Sequence, residues 1–134
     1  MATQATKSPQ LRFQDSAGQH VLVEALGPDG RRYDAGKIAK LLDWSLKDMG
    51  TYLRKDPSTV SRFGGSALHQ ESLAALAGLV LRMRNAFGSI ELAVAWARTP
   101  ARALDGASPK QLILAQNLQA VHRLLDEMET GLSL

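Results

Sequence analysis

The stretch LKDMGTYLRKDPSTVSRFGG, Leu46–Gly65, decides how this 134-residue chain is read. Ser45 can accept hydrogen bonds from the free first-turn N–H groups of a helix over Leu46–Leu53. Asp56-Pro57 starts another: an Asp accepts from those N–H groups, and a Pro at the first helical position gives up no hydrogen bond. Gly64-Gly65 stops it. Three residues, Arg54-Lys55-Asp56, separate the two helices. That spacing turns Met49, Leu53, Val60 and Phe63 inward and puts Gly50 where the first helix must let the second pass close by, as in a helix-turn-helix. The second helix then exposes Ser58, Thr59, Ser61 and Arg62, with Lys55 just before it. Short hydroxyls can approach base edges or phosphates and an Arg can bind guanine bidentately, so these five residues are the candidate nucleic-acid contacts.

Outward from this stretch, everything after Tyr33 is helical in pattern. Asp34 is placed to cap a helix running to about Asp43, with Ile38, Leu41 and Leu42 on one face. The longest helix is predicted over about Ala67 to Phe87, where Leu73, Leu76, Val80, Met83 and Phe87 recur at steps of three and four. Ser89 opens a shorter helix with Leu92, Ala93 and Trp96, which Pro100 terminates. Asp105-Gly106 is a turn, Ser108-Pro109 opens a helix to about Ala115, and the last helix covers about Leu118 to Thr130. That helix carries Leu118, Val121, Leu125 and Met128 on one face and ends at Gly131. The expected fold is all-α with about seven helices. Residues 1–33 form an N-terminal arm whose first ten residues read as disordered. The part from Leu11 to Tyr33 is a short β-ribbon or an extended arm packed on the helical body.

Composition excludes several classes. There is no Cys, hence no disulfide, thiol nucleophile or Cys zinc site. His20, His69 and His122 lie in separate segments without a partner ligand at helical spacing, and Gly64-Gly65 lacks the context of a phosphate loop. We therefore expect no catalytic residue, no metal and no cofactor. Asp126, Glu127 and Glu129 read as the solvated face of the last helix. No stretch reaches the roughly 20 apolar residues of a membrane span and the N-terminus has no apolar signal core, so the expected location is cytoplasmic. The net charge of +3 is unevenly placed. Residues 1–66 hold ten basic and seven acidic side chains, residues 67–134 six of each. The basic excess thus lies in the half with the helix-turn-helix, which suits a polyanionic partner.

Asp56–Arg62 resembles the recognition helices of Xre/Cro-like repressors, although Arg54 stands where the turn usually has Gly and Lys55 where it is usually apolar. From about Ile38 to the C-terminus the chain resembles the MbcA/ParS/Xre antitoxins. The residues that carry this are Trp96, Pro100, Leu104, Gly106, Ser108, Pro109, Leu112, Val121, Leu125 and Gly131. Gln116-Asn117 departs from the family's acidic residue followed by Gly, though Asn can also take the left-handed conformation. The resemblance implies a helix-turn-helix domain with the long helix over 34–88 and a C-terminal toxin-binding domain over 89–134. It implies an antitoxin that covers the NAD cleft of a RES-domain toxin and represses its own operon by binding operator DNA, with a homodimer as the natural unit. The toxin contacts it implies are His122, Arg123, Asp126, Glu129, Thr130, Gly131, Leu132, Ser133 and Leu134. The competing readings are a stand-alone regulator of the same build without a RES partner, and a toxin binder whose helix-turn-helix is vestigial.

Overall fold

The computed structural model describes residues 32–131; the arm or β-ribbon expected within 1–31 and the tail residues Leu132, Ser133 and Leu134 lie outside the described residues. The described chain is all-α. Its elements are α1 (Ala35–Leu42), α2 (Leu46–Leu53), α3 (Pro57–Phe63), a 3-10 turn at Ala67–His69, α4 (Gln70–Phe87), α5 (Ile90–Ala97), a second 3-10 turn at Arg102–Leu104, α6 (Pro109–Leu114) and α7 (Leu118–Thr130). The helix expected from Ala67 thus begins as a 3-10 turn and becomes α-helical only at Gln70.

Local chemistry sets most of the boundaries. Asp34 accepts from the Lys37 N–H at 3.1 Å and caps α1. Ser45 and Asp48 cap α2 reciprocally: the Ser45 hydroxyl accepts from the Asp48 N–H, and the Asp48 carboxylate from the Ser45 N–H. Ser108 and Gln111 do the same for α6. Asp56 departs from expectation, since its side chain makes no capping bond to α3, which leaves Pro57 as the start signal. Gln116, not Asn117, takes the left-handed conformation (φ 63°), and the Asn117 side chain caps α7 instead.

Packing is organised around α4, which buries Leu73, Leu76, Ala77, Leu79, Val80 and Met83, a wider stripe than the single row read from the sequence. Around it stand Ile38 and Leu42 of α1, Met49 and Tyr52 of α2, Val60 of α3, Ala93 of α5, Ile113 of α6, and Val121 and Leu125 of α7. Both the 34–88 segment and residues 89–131 contribute to this one core. Trp96 is half-buried and anchors on Phe87, ring centroids 4.9 Å apart, while its neighbour Leu92 points outward. The Tyr52 hydroxyl donates to the Ser72 carbonyl at 2.7 Å, and burial pushes its pKa up to about 12.

One inward assignment fails. Phe63 is 53% exposed, whereas Met49, Leu53 and Val60 are buried as expected. The Ala35 N–H donates to the Gly64 carbonyl at 3.0 Å, and a Cβ on Gly64 would meet the Ala35 side chain and the Val60 carbonyl. Backbone therefore fills the space against α1 that a Phe63 ring would need.

Candidate functional site

The turn between α2 and α3 is tight because α2 ends on a left-handed residue. Arg54 has φ 60° and ψ 45°, the conformation that Gly usually supplies. The Lys55 N–H then donates to the Gly50 carbonyl at 2.9 Å. The tight turn between the two helices is thus kept without Gly at this position, at a conformational cost of roughly 1–2 kcal/mol for a side chain in that region. Arg54→Gly should accordingly stabilise the fold by about 0.5–1 kcal/mol in urea titrations, the gain being reduced by the freedom Gly adds to the unfolded chain. An unchanged or lowered midpoint would show that the Arg54 side chain compensates for its backbone.

Beside this turn opens a groove of ≈ 450 Å³ lined by Lys47, Gly50, Thr51, Arg54, Lys55, Asp56, Pro57 and Thr59. Three cations against one carboxylate make it a basic concavity. Of the five residues expected to contact nucleic acid, Lys55 and Thr59 line this groove, while Ser58, Ser61 and Arg62 are exposed on α3. Sequence reasoning missed Lys47 and Arg54. Lys47 and Thr51, four residues apart, share one face of α2, and Arg54 ends that helix beside Lys55; that concentration of cations at the turn was a legible signal.

The second cluster lies on α7 and is held from α4. Arg82 Nη1 donates to His122 Nδ1 at 3.0 Å and to the His122 carbonyl at 3.3 Å, while Nη2 donates to the Asp126 carboxylate and to Glu129 Oε1, the latter at 2.9 Å. The hydrogen bonds that Arg82 donates to Glu129 and Asp126 raise its pKa above its ordinary value. Because the Arg82 guanidinium can only donate, His122 Nδ1 must be an acceptor, which makes the ring neutral with its proton on Nε2. Burial lowers the His122 pKa and the Arg82 charge lowers it further, against a smaller opposing pull from Asp126.

A folded-state pKa below the unfolded value means that the unfolded chain takes up this proton more readily. The stabilising contribution is therefore complete above the unfolded His value near 6.5 and is lost as pH falls from there through the folded pKa. We expect the urea midpoint to drop between pH 7.5 and 5.5, with the drop diminished in His122→Gln. An identical drop in that variant would place the titrating group elsewhere.

The residues expected to face a toxin thus divide. His122, Asp126 and Glu129 converge on Arg82, Arg123 and Thr130 are exposed without sharing that cluster, and Gly131 ends α7 in the left-handed conformation. The acidic residues are correspondingly more than a solvated face, because Asp126 and Glu129 are ion-paired. On the other flank of α7 a groove of ≈ 160 Å³ is lined by Ala103, Leu104, Ala120, Arg123, Leu124 and Glu127. Arg82 stands 40 to 47 residues before its partners, so no local periodicity could reveal it.

Further ties join the two halves of the described chain. Lys110 on α6 pairs with Asp48 at 3.1 Å, and Arg98 after α5 pairs with Asp43 at 2.6 Å. Desolvation acts to raise the Asp48 pKa, but hydrogen bonds from the Ser45 backbone and Lys110, with the Lys110 charge, overcome it and leave it lowered. No group of three or more His, Cys, Asp or Glu among the described residues could hold a metal ion. No single helix among them is long and apolar enough to cross a membrane.

These features belong to a helical binding module, a compact bundle with a basic groove at one turn and a clasped, charged terminal helix. Residues 84–131 match the family model of the antitoxin Xre/MbcA/ParS C-terminal toxin-binding domain, which bears out the resemblance read from Trp96 through Gly131. In structure the chain is similar to a chain of the M. tuberculosis MbcT-MbcA toxin-antitoxin complex, with a TM-score of 0.57 and 20% sequence identity over 75% of this chain and 94% of that one. That likeness shows a shared fold. No curated protein matches the sequence.

Proposed function

We propose that the protein is an antitoxin that binds a protein toxin through α7 and the residues following it. The observation that carries this reading is the match of residues 84–131 to a toxin-binding domain whose last helix is α7. The toxin is of the RES-domain class, and the antitoxin acts by covering its NAD-binding cleft with the exposed side of α7, chiefly Arg123, Asp126, Glu129 and Thr130, together with Gly131, Leu132, Ser133 and Leu134. Occlusion requires no chemistry of the antitoxin itself. His122, half-buried beneath Arg82, supports this face more than it contacts a partner.

The same protein binds operator DNA as a cytoplasmic homodimer, each copy placing α3 in the major groove. Ser58, Thr59, Ser61 and Arg62 read the bases, and Lys47, Arg54 and Lys55 contact phosphates. The basic groove at the α2–α3 turn supports this part of the reading. It equally fits a regulator without a RES partner, and one experiment separates the two. Tagged protein expressed from its native operon should co-purify with the product of the adjacent gene, and a RES-domain protein in that position is the expected result. Recovery of the tagged protein alone, still shifting its promoter fragment, would favour the regulator. Loss of the shift in Arg62→Ala with toxin binding retained would locate DNA recognition on α3; a shift unchanged in that variant and in Ser58→Ala would remove α3 from the groove.

A further inference from the structure

Phe63 and Leu68 are the two most curious side chains on the described surface, apolar and exposed by 53% and 88%. They flank the bend Gly64-Gly65-Ser66, where the Ser66 N–H donates to the Phe63 carbonyl at 2.9 Å and the Leu68 N–H to the Ser66 hydroxyl at 3.1 Å. The chain enters the helical body at this same place. The Tyr33 N–H donates to Gln70 Oε1 at 2.7 Å and Gln70 Nε2 donates back to the Tyr33 carbonyl at 2.9 Å, while the same amide reaches the Ser66 carbonyl at 3.1 Å. Gln70 thus fixes residue 33 against the bend that carries both exposed side chains.

We propose that this apolar patch is the docking site of the chain's own segment His20–Leu26, through Val21, Leu22, Val23 and Leu26. Three observations support that occupant. The segment is the most apolar run before Arg32. Tyr33 lies seven positions after Leu26, and an extended chain covers about 3.3 Å per residue, so roughly 23 Å are available to reach a patch that begins within a turn of the attachment point. The patch is also small. Two side chains supply far less than the roughly 800 Å² per partner of a stable interface between separate molecules, but a tethered segment binds at a high effective concentration and needs no such area. The docked segment would cover the C-terminal end of α3, beside Ser61 and Arg62, and so bring residues 1–31 to the edge of the surface assigned above to DNA.

The test is a double-mutant cycle in the full chain, read by urea unfolding and sedimentation velocity. One arm replaces the patch (Phe63→Ser with Leu68→Ser), the other replaces the segment (Val21, Leu22, Val23 and Leu26, all to Ser), and a third combines them. Exposed side chains without a partner tolerate such changes, so the patch substitution alone is decisive. We expect it to lower the folding equilibrium constant at least tenfold in the intact chain and less than threefold in the segment-substituted chain, with sedimentation unchanged. A loss under threefold in the intact chain would overturn the proposal, as would equal losses in both backgrounds. A self-associated species that the patch substitution dissociates would overturn it in favour of a second copy as occupant.

Discussion

Gly50→Ala should destabilise the protein by about 2–3 kcal/mol, although Ala is favoured over Gly by roughly 1 kcal/mol in a helix interior. A Cβ at position 50 would stand 2.5 Å from the Lys55 carbonyl oxygen and 3.5 Å from the Pro57 nitrogen. Both neighbours are backbone, and the first belongs to a residue whose own N–H is bonded to the Gly50 carbonyl. Relief therefore requires α2 and the turn to separate, which would break that bond and move Lys55 and Thr59 at the groove. Gly78 provides the internal comparison. It lies exposed on α4 with nothing within 4 Å of an added Cβ, so Gly78→Ala should stabilise by about 0.5–1 kcal/mol. Urea denaturation of both variants checks the pair. Midpoints shifted in the same direction would mean that the close crossing of α2 and the turn does not control the first.

Leu125→Ala should cost about 2–5 kcal/mol, the range for emptying a fully buried leucine site. Leu125 is 0% exposed and lies on the inner face of α7 with Val121, also 0% exposed. The exposed charges of α7 do not replace that burial. The Arg82 pairs with Asp126 and Glu129 involve carboxylates that are 63% and 49% exposed, and ion pairs so open to water contribute at most about 1 kcal/mol each. Met128, 38% exposed at the end of the same helix, should lose under about 1 kcal/mol on truncation to Ala. Thermal and urea unfolding of the two variants would measure the contrast. Equal effects would mean that α7 is held by its charged clasp more than by its apolar face, and the proposed toxin-binding surface would then depend on ionic strength.

Much of the fold was legible because it depends on neighbours in sequence. Caps at Asp34, Ser45, Ser89 and Ser108 act over three residues, and the apolar rows of α4 and α7 repeat every three or four. Gly50 was also readable as a close approach, since it lies within the first of two helices joined by a three-residue turn, where the second must pass near it. Phe63 was placed inward by its spacing from Val60, but the room against α1 is taken by the Gly64 backbone, a competitor from outside the helix. Asp56 was expected to cap α3 and does not, and Arg54 was a doubtful turn residue yet occupies the left-handed position.

The candidate sites divide in the same way. The sequence by itself determined an all-α chain, the two helices and short turn of Leu46–Gly65, the exposed polar face of α3 and the resemblance of the C-terminal third to a toxin-binding domain. These rest on periodicity, capping and motif, which act within a few residues of one another. Only the tertiary structure decided that Arg82 clasps His122, Asp126 and Glu129, that Lys47 and Arg54 join Lys55 around one groove, and that Asp48 ties α2 to Lys110 of α6. The clasp and the tie are charges brought together across 40 to 62 residues of chain by burial of a shared apolar core, and the pattern of a helix records which face is buried but not which distant side chain will meet the face left open.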